Sequence, residues 1–101
     1  MFIYNVSIKL IPAIEQEWLQ WMKEEHLDEV IATGMFDRYS LFELLEPGDD
    51  DGTKTFVVQY STDSEANYKK YIDEFSSALR EKGHQKFGDQ FIGFRSFMKL
   101  C

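Results

Sequence analysis

The first ten residues alternate. Phe2, Tyr4, Val6, Ile8 and Leu10 are apolar or aromatic, and Asn5, Ser7 and Lys9 are the polar residues between them. A period of two predicts a strand with one face turned to a core. Pro12 then suits the first turn of a helix, where its missing N–H has no partner to lose. Ile11, Ile14, Trp18, Trp21 and Met22 recur at helical spacing. Leu27, Val30 and Ile31 fall on nearly the opposite side of the same wheel. One straight helix cannot bury both stripes against one sheet. A bend or break is therefore expected around Glu25–Asp28, with Leu27–Thr33 as a separate short helix and Gly34 as its stop.

The pattern returns to strands at Phe36–Leu45 and Thr55–Ser61, with a turn over Pro47–Gly52 between them. Thr62 followed by Glu65 has the spacing of a capping box and opens a second helix, whose stripe is Tyr68, Tyr71, Ile72, Phe75 and Leu79. Gly83 and Gly88 bracket its exit, and Phe91–Leu100 is the last strand. The order βαββαβ predicts an α+β, ferredoxin-like domain: a four-stranded antiparallel sheet with two helices on one face. A chain of 101 residues holds one such domain, 1–101, and no second.

Two helices cover one face of that sheet, and alternation assigns what remains on the other. Ile3, Asn5, Ser7 and Lys9 face outward from the first strand, and Thr55, Val57, Gln59 and Ser61 from the third. Tyr39, Leu41 and Glu43 are assigned outward from the second. The last strand is apolar on both sides, and its Phe91, Arg95 and Phe97 side is taken as the outward one. Such a face is too apolar to stay wet, so a second copy is expected to cover it, giving a homodimer through sheet faces and a dimeric α+β barrel. The polar residues of that face would then line a cavity between the two sheets.

Aromatic residues make up 16% of the chain, more than one small core needs, which agrees with extra surface to bury. The formal charge of −7 offers no basic footprint for nucleic acid or for an anionic membrane surface. No run of about 18 apolar residues offers a membrane span. Cys101 is the single cysteine, so no disulfide forms within the chain and a cytoplasmic location is expected.

Ile3-Tyr4-Asn5-Val6, Trp18–Leu27 and Ala32-Thr33-Gly34-Met35-Phe36 carry a resemblance that Val58-Gln59-Tyr60-Ser61 and Phe87-Gly88-Asp89-Gln90-Phe91 extend over nearly the whole chain. They resemble an uncharacterised bacterial family that looks like a member of the dimeric α+β barrel superfamily. Its relatives include antibiotic-biosynthesis-type monooxygenases and haem-degrading enzymes. The haem-degrading pattern needs a strand-1 Asn, a helix-2 Trp and a helix-2 His. Asn5 matches the first; both tryptophans are on helix 1, and His84 is read as following helix 2. No cofactor is therefore called for.

The candidate residues are few. His26, flanked by Glu25 and Asp28, either closes the helix break or serves as an acid–base group. Arg95, if it faces between the sheets, needs an anion, either Glu43 or a ligand carboxylate. Asn5, Tyr39, Gln59 and Arg95 are the candidate ligand-binding set for a small apolar or aromatic compound. Trp18 and Trp21 pack in the core or line a ligand cavity, and His84 is read as solvated in a polar loop. Asp49-Asp50-Asp51-Gly52 lacks the alternate spacing of a calcium loop, and two distant histidines with one terminal cysteine make no zinc site, so no metal is expected. Three functions fit: a small-molecule binding domain, a cofactor-independent monooxygenase or isomerase, and an interaction module without a ligand.

Overall fold

The computed structural model describes residues 1–48 and 50–101. Strand β1 (Phe2–Leu10) pairs along its whole length with β3 (Lys54–Thr62) on one side and β4 (Phe91–Lys99) on the other. Strand β2 (Arg38–Glu43) pairs outside β3, so the antiparallel order is β2-β3-β1-β4. This is the ferredoxin-like arrangement, with the helices on one face. The turn between β2 and β3 includes Asp49, which lies outside the described residues. Within it, Asp51 accepts hydrogen bonds from the Thr53 hydroxyl at 2.6 Å and the Thr53 N–H at 3.1 Å. The Asp51 carboxylate is thus occupied in closing the turn.

The first crossover begins with a short 3₁₀ turn at Pro12–Ile14 and continues as α1 (Glu15–Trp21). In place of a break, a π-helical turn over Met22–His26 leads without interruption into α2 (Leu27–Ala32). Its widened hydrogen bond runs from the Leu27 N–H to the Met22 carbonyl. One extra residue in a turn rotates everything after it by roughly 100°. That rotation, together with α2 packing toward β2, lets the Trp18/Trp21 stripe and the Leu27/Val30 stripe both reach the core. Gly34 ends the segment at φ +78°, a left-handed conformation that glycine adopts without strain.

The second crossover departs from expectation at its start and in its middle. Thr62 belongs to β3, because it pairs with Phe2, and Ser64 is the true cap: its hydroxyl accepts from the Asn67 N–H at 3.1 Å. The helix is then divided at Phe75 into α3 (Glu65–Glu74) and α4 (Ser76–Phe87). The buried Ser76 hydroxyl donates back to the Ile72 carbonyl at 2.9 Å, a bond that competes with the regular ladder at the bend. Gly83 lies inside α4, and Gly88 alone ends it.

The register settles the faces. Residues directly opposite in an antiparallel pair share a face. Tyr4, Val6, Ile8 and Leu10 stand with Phe56, Val58 and Tyr60 on the helix side, as alternation predicts. The outward assignments for β2 and β4 are corrected. Tyr39, Leu41 and Glu43 oppose Tyr60, Val58 and Phe56, and Phe91, Arg95 and Phe97 oppose Leu10, Val6 and Tyr4, so all six belong to the helix side. The free face carries Ile92, Phe94 and Met98 from β4 and Arg38, Ser40 and Phe42 from β2. One row across it reads Phe94, Ser7, Val57, Phe42; the next reads Ser96, Asn5, Gln59, Ser40.

The core between sheet and helices is rich in rings. Tyr4 lies with ring centroids 5.4–5.9 Å from Phe36, Tyr60, Tyr68 and Tyr71. Among the described residues, no helix is long and apolar enough to cross a membrane.

Candidate functional site

Between the helices and the sheet lies a cavity of about 380 Å³, open to solvent on one side and within the usual range for a small-molecule pocket. Val6, Ile8 and Val58 form its floor because they alternate onto the helix side of the two central strands. Trp18, Trp21 and Met22 enter from α1 and the turn after it. Leu79, Arg80, Gly83 and His84 enter from α4, at the three- and four-residue spacing that puts them on one helix face. Phe91, Gly93 and Arg95 complete it from β4.

Two glycines keep the space open. A Cβ at Gly93 would stand 3.1 Å from Ile8 Cδ1, and one at Gly83 would stand 3.4 Å from the Trp21 ring. At each, a hydrogen where other residues carry carbon leaves the strand or helix wall thin.

His26 is a half-buried titratable group of the cavity. It ends the π-helical turn, and its ring stacks on Trp21 with centroids 4.7 Å apart and 26° between planes. Burial pushes its pKa down to about 4 from an ordinary 6.5; Glu29 opposes the shift and Lys82 assists it. The ring is therefore neutral at neutral pH. Nδ1 is buried without a hydrogen-bond partner, which favours the tautomer protonated at Nε2, since a bare lone pair costs less than an orphaned N–H. A π-helical turn is a frequent companion of functional sites, and here it is what carries His26 to the cavity wall.

The depressed pKa has a measurable consequence. Below about pH 6.5 the unfolded chain takes up a proton on this ring that the folded chain refuses until about pH 4. Stability is thus fully present above pH 6.5 and falls as pH drops through that window, by up to about 3 kcal/mol. Urea midpoints for His26→Leu are expected to change less between pH 7 and 4.5 than those of the unsubstituted protein. Equal slopes would show that His26 does not carry the effect.

Three tyrosine hydroxyls, of Tyr4, Tyr60 and Tyr71, belong to residues of the same lining. Burial raises the pKa of Tyr4, with a hydrogen bond to and the charge of Arg95 pulling it back. Burial likewise raises Tyr71 and Tyr60. All three are hydrogen-bond donors at neutral pH.

The structure divides the residues that the sequence grouped. Arg95 and His26 line the cavity. Asn5 and Gln59 are on the other side of the sheet, hydrogen-bonded to each other from Gln59 Nε2 to Asn5 Oδ1 at 3.2 Å. Tyr39 opposes Tyr60 on the helix side and also borders a hollow of about 320 Å³ on the free face, together with Ile3, Arg38 and Gln59. Glu43 is no partner for Arg95: β2 and β4 are opposite edges, and Glu43 lies 3.6 Å from Lys54.

His84 is exposed, as expected, but its placement in a loop is corrected. It lies within α4, stacked on Phe91 with centroids 5.0 Å apart, and lines the cavity. Arg80 was missed altogether, and its spacing from Gly83 and His84 was the signal available. Among the described residues no group of three or more His, Cys, Asp or Glu side chains converges as a metal site would.

Solved structures similar to this chain share its fold. A dimeric ferredoxin-like protein from an uncultured marine organism superposes with a TM-score of 0.67 at 18% identity, covering 99% of this chain and 94% of its own. An ethyl tert-butyl ether D (EthD) family protein from Bacillus halodurans gives 0.66 at 10% identity, with both chains covered completely. SnoaB, a cofactor-independent oxygenase from Streptomyces nogalater solved as a point mutant, gives 0.61 at 8% identity, covering 98% of this chain and 92% of its own. No curated protein matches the chain. A family model does, over residues 1–101, and the chain belongs to that family, DUF4286, a domain of unknown function.

Proposed function

We propose that the protein is a small-molecule binding domain whose ligand occupies the cavity between helices and sheet, and that it works as a homodimer paired through the free sheet faces. The observation that carries the first part is the cavity itself: about 380 Å³ in a core otherwise packed with rings, walled by apolar side chains and bordered by a few polar groups. A concave apolar space of that size can bury most of a small apolar or aromatic compound, with the bordering polar groups to orient it. The second part is supported by the exposed Ile92, Phe94, Met98 and Phe42 of one sheet face, by the fold shared with a protein described as dimeric and by the usual size limit on an uncovered apolar patch. A cytoplasmic setting suits the lone Cys101.

Both tryptophans of the chain line the cavity, so binding is read directly in their fluorescence. A panel of small aromatic compounds is expected to contain members that shift the emission and raise the melting temperature. At a hundredfold excess over Kd the stabilisation is about 2.7 kcal/mol. Gly83→Leu, which places carbon where the Trp21 ring is 3.4 Å from a Cβ, is expected to abolish both responses. Responses that persist in that variant would move the ligand elsewhere.

A second reading is supported by His26. An imidazole left neutral on a cavity wall has a lone pair that can accept a proton, and a cofactor-independent oxygenase or isomerase needs such an acceptor, although a pKa of about 4 makes this one a weak base. Turnover of a bound compound, lost in His26→Leu with binding retained, would select that reading.

A further inference from the structure

Among the described residues, the two arginines at the cavity have no acidic partner, in a chain that has acid to spare. Asp and Glu number 18 against 11 Lys and Arg. Lysines take the carboxylates: Lys82 holds Glu29 at 2.7 Å, Lys54 holds Glu15 at 3.0 Å, Lys9 holds Asp51 at 3.2 Å and Lys86 holds Glu17 at 3.9 Å. Among the described residues, neither Arg80 nor Arg95 has a carboxylate within 4.0 Å. Both side chains are exposed, so they stand at the mouth of the cavity and not in its depth.

They come to that mouth from opposite walls. Arg80 is brought by α4, one turn before Gly83 and His84. Arg95 is brought by β4, two residues beyond Gly93, on the helix side of the strand. Both line the same cavity as Tyr4 and Tyr71, and the positive charge of each works against the rise in pKa that burial gives those two phenols. Behind them the lining is Trp21, Met22 and Leu79. A guanidinium presents paired N–H donors that match a carboxylate, and two protonated phenols beside it add further donors with no acidic competitor.

We propose that the ligand of this cavity is an anion, a small aromatic or branched apolar acid whose carboxylate is held at the mouth by Arg80 and Arg95 while its apolar body enters among Trp21, Met22 and Leu79. The proposal rests on the cavity-binding reading given above and adds the charge of the ligand and the two residues that read it.

The test is a matched pair of probes, 1-naphthoate and the uncharged 1-naphthamide, titrated at low salt and followed by tryptophan emission. Naphthoate is expected to bind at least about tenfold more tightly than naphthamide. Arg80→Gln and Arg95→Gln are each expected to weaken naphthoate by about tenfold and to leave naphthamide within about twofold. Added salt should weaken naphthoate alone, as screening of exposed charges requires. Equal affinity of the unsubstituted protein for both probes would overturn the anion proposal and leave the binding cavity standing. Binding of neither probe would overturn the cavity reading and the anion proposal together.

Discussion

Tyr4→Ala is expected to destabilise the protein by about 3–5 kcal/mol, the range for deleting a large buried ring. Tyr4 is 3% exposed on the central strand β1 and packs against four other rings. Phe36 and Tyr60 stack on it, while Tyr68 and Tyr71 meet it from α3, so its loss opens a void between helix and sheet. Pair geometry of this kind adds about 0.5–1.5 kcal/mol beyond area. In a domain of about 100 residues each 1 kcal/mol moves the melting temperature by about 4–8 °C, so the variant should melt many degrees lower or fail to fold at room temperature. Tyr4→Phe keeps the ring and removes only the hydroxyl, and it should lose far less. A thermal melt in which Tyr4→Ala and Tyr4→Phe behave alike would show that the ring cluster does not hold the layers together.

Phe94→Asp is expected to convert a dimer into a monomer. Phe94 is 65% exposed in the single chain and Ile92 59%, and both belong to the free face that a second copy would cover. A carboxylate at an exposed site costs the lone chain little. Buried against another sheet without a cationic partner, it costs more than a standard interface can spare. Light scattering during gel filtration should report twice 11.9 kDa for the unsubstituted protein and 11.9 kDa for the variant. An unsubstituted protein that is monomeric at high concentration would remove the dimer, and an unchanged dimer in Phe94→Asp would move the interface off this face.

The sequence spoke clearly where one face of an element is buried and the other wet. β1 and β3 are central strands, and their alternation placed Tyr4, Val6, Val58 and Tyr60 inward as found. The two opposed stripes of the first helix likewise foretold a change of face, although hydrogen bonding accomplishes it with a π-helical turn and not a break. Edge strands were misread for a physical reason. β4 is apolar on both sides, because one side meets the helices and the other is left open, so hydrophobicity alone cannot orient it. β2 is short and exposed, which weakens its pattern in the same way. The error carried Arg95 and Tyr39 to the wrong face. His84 was misplaced because Gly83 looks like a helix stop, whereas here its missing side chain makes room for Trp21 and the helix runs on to Gly88.

That Arg95 and the cavity stand on the helix side, behind the face offered for pairing, bears on stoichiometry. A dimer joined by its free faces would hold two chambers back to back, each walled by a single chain and separated by both sheets. One ligand molecule per subunit should then be taken up, and occupancy of the first chamber should leave the second unaware of it, giving a plain hyperbolic isotherm with a Hill coefficient of about 1.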